Sequence, residues 1–308
     1  MRAFHSNKGI TSLHVGVAVL AALLLFFIVA FVYTHQDSNW LKTAFEESVR
    51  KTRLVQTMKS ELLASAEAEK SSVMADTDEA SKAFAEQSIQ ASQNVESARI
   101  ELKALAKENS RETKLLDDFS SCWGKLREID KEVLSLAVQN TNLKALRLSF
   151  VPAATAIRHM EKELNQLMDS VDSSSDAAGI IRLASKAVTG ALNIYALEAP
   201  HIAETTEAEM DGTEANMKQF DEQVRDALNS LDKQVGGSGK SFIGEAWKSY
   251  QDFWTINSEI VALSRRNSNI RSFAVSLGQK RNTMAQCLDL LNALQDAVQQ
   301  GAEVKATR

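Results

Sequence analysis

Residues 15–33 read VGVAVLAALLLFFIVAFVY and carry neither a charge nor an amide. At about 1.5 Å per residue, a helix of this length spans the ~30 Å hydrocarbon core of a bilayer. A helix packed in a soluble core normally keeps a polar face, and this one has none. The chain therefore reads as a cytoplasmic tail (1–14), a transmembrane helix (15–35) and a large polar body. Arg2 and Lys8 precede the run with no acid beside them, whereas Asp37, Lys42, Glu46 and Glu47 follow it. Positive charge stays on the cytoplasmic side, so the N-terminus is expected inside and the body outside. The run is longer than a signal-peptide core, and its exit, FVYTHQDS, offers no A-x-A-like site. A retained anchor in a bacterial inner membrane, single-pass with a periplasmic body, is the expected setting.

The body is written in helix formers. Only 2 Pro and 12 Gly interrupt 308 residues, and Val/Ile clusters of strand type are scarce. Apolar positions recur every three or four residues, as in Leu115, Leu116, Phe119, Trp123, Leu126, Ile129 and Val133. Breaks fall near 76–79, 109–110, 139–142, 172–176, 204–212, 236–239 and 267–269, and leave eight helices. Asp or Thr in the first break suits a helix cap, and Pro152 is expected to bend the fourth helix. The net charge of −5 is mild and no Lys/Arg-rich block exists, which argues against a nucleic-acid partner. Cys122 and Cys287 are the two cysteines, each among apolar residues at helical spacing. Two buried free thiols is the reading, since the repeat below assigns them to different modules.

Sliding the chain by 127 lays the third helix on the seventh. Glu132-Val133-Leu134-Ser135-Leu136 faces Glu259-Ile260-Val261-Ala262-Leu263, and Asn140-Thr141-Asn142 faces Asn267-Ser268-Asn269. With a one-residue slip, Met74-Ala75, Thr77 and Glu79-Ala80 face Ile202-Ala203, Thr205 and Glu207-Ala208. A fixed offset over such distances implies two copies of one four-helix unit. The expected fold is all-α: the transmembrane helix, then two tandem up-down four-helix bundles at 36–171 and 177–300. A linker at 172–176 joins them and a frayed tail occupies 301–308.

The order of features resembles the four-helix-bundle sensory module of methyl-accepting chemotaxis receptors and related bacterial transducers. It is carried by the membrane helix entering helix one, Glu69-Lys70, Met74-Ala75-Asp76-Thr77-Asp78-Glu79, Phe119-x3-Trp123, Val133-Leu134-Ser135-Leu136-Ala137 and Asn140-Thr141-Asn142. The tandem pair is similar in outline to helical bimodular sensors. The resemblance implies ligand-linked signalling without catalysis, a small organic acid or amino acid as ligand, and a homodimer or an envelope signalling partner. The second membrane helix and cytoplasmic coiled coil of such receptors are missing from this sequence, so action through a partner is expected. The alternative is a structural envelope protein that uses its bundles as spacer or oligomerisation element.

No Gly-rich phosphate loop, Cys-x-x-Cys pair or H-E-x-x-H helix is present, and no enzyme or cofactor is expected. Glu198-x-x-His201 has the spacing of a di-iron half-site, but the second such pair is lacking, so both are read as solvated and no metal is assigned. Guanidinium pairs bidentately with carboxylates. Arg158 and His159, with Arg265, Arg266 and Arg271 near the seventh turn, are accordingly the candidate ligand clamp. Of Trp247, Tyr250, Phe253 and Trp254, most are expected in the core, with one ring left for an interface or pocket.

Overall fold

The computed structural model describes residues 38–106, 110–171 and 176–306, with side chains from 45 to 301. The expected tail at 1–14, the membrane helix at 15–35 and residues 172–175 of the linker lie outside the described residues. Among the described residues every element is helical and no helix is long and apolar enough to cross a membrane. The helices are α1 (Ser38–Met74), α2 (Asp78–Leu105), α3 (Ser110–Ala137), α4 (Thr141–Leu148), α5 (Ala154–Ser170), α6 (Ala177–Ala203), α7 (Glu207–Gln234), α8 (Gly239–Arg266), α9 (Ser268–Val275) and α10 (Arg281–Ala306). Five-residue π-turns, Ser149–Ala153 and Ser276–Lys280, join α4 to α5 and α9 to α10. Helix α10 thus continues through most of the expected tail at 301–308.

The turns follow local chemistry. Thr77 caps α2 by accepting from the Ala80 N–H at 3.1 Å, and Thr206 caps α7 by accepting from the Glu209 N–H at 3.3 Å. The second cap falls one residue beyond the Thr205 that the sequence alignment paired with Thr77. Asn140 and Asn267 precede α4 and α9 at φ 50° and 52°, a left-handed conformation that Asn tolerates better than other side chains. Pro152 is accommodated in a π-turn. The equivalent turn at Ser276–Lys280 forms without proline, so the bulge belongs to the repeat and not to that one ring.

The chain divides into two compact units. The first comprises the described parts of 1–60, 94–120 and 288–308. Its apolar interior includes Val55, Met58, Leu102, Leu116, Phe119, Leu291 and Leu294. Buried Lys51 donates to Glu112 at 2.9 Å and also pairs with Glu47. Burial pulls the Lys51 ammonium down, but the two carboxylates outweigh it and hold its pKa above the usual value.

The second unit spans 61–93 and the described parts of 121–287. One core in it gathers Ala145, Ile157, Met160, Leu164 and Leu167 with Ile180, Ala191 and Ile194, Val224 and Leu228, and Ile243, Tyr250, Phe253 and Ile260. These residues come from α4–α5, α6, α7 and α8. A smaller core joins Val73, Ile129, Val133 and Ala137, with Val275 packed on it. Two serine pairs draw α1 and α2 together: Ser65 and Ser88 each donate to the other's carbonyl, as do Ser72 and Ser81.

This grouping corrects the expected bundles at 36–171 and 177–300. Helix α4–α5 shares its core with α6–α8, while α9 and the start of α10 meet α1 and α3. The two copies of the repeat have exchanged their fourth helices. At Asn140 and Asn267 the chain runs on into the next core instead of folding back as a hairpin. Either arrangement buries the same apolar stripes, so periodicity alone does not choose between them. The cysteine reading falls with it. Cys122 on α3 and Cys287 on α10 form a disulfide, with Cα atoms 5.7 Å apart.

Candidate functional site

Polar residues buried between helices mark where this fold departs from plain apolar packing. The first such group lies where the two exchanged helices begin. Thr141 and Ser268, Asn142 and Asn269 face one another in reciprocal pairs. The Asn142 Nδ2 also donates to the carbonyl of Ile202 at 2.9 Å and to Asn267 Oδ1 at 2.8 Å, and the Asn269 Nδ2 reaches Asn140 Oδ1 at 3.0 Å. The repeat placed these residues opposite each other in sequence, and the fold places them in contact.

Lys280, almost wholly buried, sets its ammonium 2.7 Å from Glu69 Oε2 and 2.7 Å from Asp130 Oδ1. Burial pushes the Asp130 carboxyl above the usual range even though Lys280 pulls the other way. Fully buried Glu198 has the Ser149 hydroxyl beside its carboxylate and no cation paired with it, and buried Asn257 has no hydrogen-bond partner on Oδ1. Burial pushes the Glu198 carboxyl up to about 7, eased by the Ser149 hydroxyl.

His201 is also fully buried. Its Nδ1 lies 2.9 Å from the Ser264 hydroxyl and its Nε2 2.9 Å from Glu214 Oε1. The reading of Glu198 and His201 as solvated residues is therefore corrected: α6 turns both inward. Sequence spacing places them on one face of a helix but does not say which way that face points. Among the described residues no group of three His, Cys, Asp or Glu could hold a metal ion.

The five candidate clamp residues are dispersed over three helices. Arg158 and His159 are exposed on α5, and the Arg158 guanidinium reaches Thr155 at 3.1 Å. Arg266 is exposed at the end of α8 and Arg271 on α9. Arg265 is already engaged: it donates to Glu214 at 2.6 Å, Glu207 at 2.5 Å and Asp211. Burial raises the Glu214 carboxyl, but Arg265 and His201 outweigh it and hold it below the usual range. The aromatic group on α8 is likewise occupied. Arg225 lies 5.7–6.0 Å from the Trp247, Tyr250 and Trp254 ring centroids while its Nε bonds both oxygens of Asp221. Tyr250, fully buried, donates to the same carboxylate at 2.6 Å.

Residues 11–179, more than half of the chain, match the family described as a four helix bundle sensory module for signal transduction. The chain belongs to this family. Within the sensory module, the matched segment carries α1 through α5, and the fold adds α6–α10 beyond most of it. Among curated proteins no match is found. The module accounts for long helices joined by short turns and for a role in signal transduction. The buried polar groups are features of this chain, and a sequence signal for them existed in hindsight: Glu69, Asp130, Glu198 and Asn257 occupy positions where the apolar period expects an aliphatic side chain.

Proposed function

We infer that this protein is an extracytoplasmic, membrane-anchored ligand-sensing module that acts through a partner. Membership in the sensory family carries the reading. The apolar run at 15–33 supports the anchor, and the Cys122–Cys287 disulfide supports an oxidising compartment. The ligand class carried by the resemblance is a small organic acid or amino acid, for which Arg158, Arg266 and Arg271 offer guanidinium groups and His159 ring N–H donors at exposed positions. The signal would be a displacement of long helices, read by a homodimer mate or another envelope protein.

The test is a thermal-shift screen of the full-length chain in detergent against organic acids and amino acids. A saturable rise in the unfolding temperature supports the sensory reading. No response from any compound, together with a constitutive oligomer, would favour a structural role as spacer or oligomerisation element.

A further inference from the structure

The two helix-exchanged bundles differ at a buried polar place. In the first, the Lys280 ammonium sits between Glu69 and Asp130. In the second, Glu198 stands as many residues ahead of the capping Thr206 as Glu69 stands ahead of the capping Thr77. Asn257 lies 127 positions after Asp130, the offset that also relates Thr141 to Ser268. Ala153 closes its π-turn as Lys280 closes the other. The second bundle thus keeps one carboxylate, turns the other into an amide and lacks the cation.

What remains is a set of acceptors. The Glu198 carboxylate is buried with the Ser149 hydroxyl beside it and no counter-charge, and Asn257 Oδ1 is buried and unpaired. A fully buried carboxylate without a counter-charge costs several kcal/mol, so it takes up a proton or a cation. An anionic ligand would meet repulsion here. An alkylammonium brings three N–H donors and one positive charge, the same chemistry Lys280 supplies in the first bundle. The π-turn adds a locally widened backbone at Ser149–Ala153, a distortion common at functional sites.

We propose that the Glu198–Asn257 site binds a protonated primary amine, in the place that the Lys280 ammonium fills in the other bundle. The proposal goes beyond the sensory reading by adding a second, cationic ligand class at a separate site, and rests on that reading only for the purpose of binding. Ala153 lacks the three methylenes and the ammonium that complete a lysine, so n-propylammonium is the matching probe.

The experiment uses the full-length chain in detergent at pH 8, with calorimetric titration and thermal unfolding. n-Propylammonium is expected to bind and to raise the unfolding temperature, whereas tetramethylammonium, potassium and propionate do not. Glu198→Gln should weaken binding at least tenfold. Ala153→Lys, which restores the internal ammonium, should raise the unfolding temperature unaided and abolish the response to the amine. Asn257→Leu, which leaves the carboxylate in place, should weaken binding more modestly. The proposal is overturned if the amine has no effect on the wild-type chain, if Glu198→Gln binds it equally well, or if acidification alone stabilises the wild type and the amine adds nothing. The last result would make Glu198 a protonated acid. None of these failures touches the organic-acid and amino-acid screen, which tests the sensory reading separately.

Discussion

Thr141 and Ser268 cap each other's helices. The Thr141 N–H donates to the Ser268 hydroxyl at 3.1 Å, and the Ser268 N–H donates to the Thr141 hydroxyl at 3.0 Å. One residue on, the Asn142 N–H meets Asn269 Oδ1 at 3.1 Å and the Asn269 N–H meets Asn142 Oδ1 at 3.2 Å. First-turn amides, ordinarily satisfied by a side chain of their own helix, are here satisfied by the other copy. Thr141→Val or Ser268→Ala leaves a buried N–H unpaired and is expected to cost about 1–3 kcal/mol. The double substitution should cost less than the sum, because the hydroxyl–hydroxyl bond between Thr141 and Ser268, at 3.2 Å, is lost in either single variant and would be counted twice. Chemical denaturation of the four species in a double-mutant cycle checks this.

Glu198 makes stability depend on pH. Its folded-state pKa of about 7 lies above its ordinary value of 4.5. A carboxyl raised in the folded state contributes stability that is complete below its unfolded pKa and is lost as pH rises through the folded one. Without added amine, the wild-type chain should therefore be more stable at pH 5 than at pH 8, by at most about 3 kcal/mol. Glu198→Gln should flatten that part of the profile and be the more stable chain at pH 8. Unfolding temperatures of both chains across this range decide the matter.

Reduction should weaken the fold. The Cys122–Cys287 bridge closes a loop of sequence separation 165, and long loops gain most from closure. Cys122→Ser with Cys287→Ser is expected to lose about 2–5 kcal/mol. Wild-type chain treated with reductant should unfold at the same lowered temperature as the double variant, and should migrate more slowly in a denaturing gel than the oxidised chain.

Two glycines in α6 and α7 should respond in opposite directions. A Cβ at Gly190 would stand 2.7 Å from Val224 Cγ2, so the helices need its absence to approach closely. Gly190→Ala is expected to destabilise by about 1–3 kcal/mol through overpacking, despite its gain in helix propensity. A Cβ at Gly212 would meet nothing within 4 Å. Gly212→Ala should stabilise by up to about 1 kcal/mol. Melting curves of the two variants separate these signs.

Lys280→Met tests the internal cation. It would leave Glu69 and Asp130 buried without compensation, at an expected cost of about 3–5 kcal/mol. Adding Glu69→Gln and Asp130→Asn to that chain should recover much of the loss, which denaturant midpoints would show.

The helices and most of their turns were legible because their causes are local. Apolar spacing, the threonine at residue 77 and the paired Asn-x-Asn turns each act within a few residues. The offset of 127 was legible for the same reason, and the structure extends it to the π-turns and to Thr141 facing Ser268. Which helices share a core was not legible, since an apolar stripe is satisfied by any equivalent partner. That one misassignment carried the cysteines with it. Glu198 and His201 were missed because a spacing of three residues fixes a shared face and leaves its direction open. Arg265 looked available because its acidic partners, Glu207, Asp211 and Glu214, come from a different helix.

The exchange of fourth helices has a consequence for how this protein comes apart. A protease cut between residues 171 and 176 would fall where the sequence suggests a seam, yet it would free neither half. Each fragment would retain three quarters of one bundle and own the missing quarter of the other. With the Cys122–Cys287 bridge reduced, the nicked chain should still stay together through gel filtration, held by the mutual loan of a single helix in each direction.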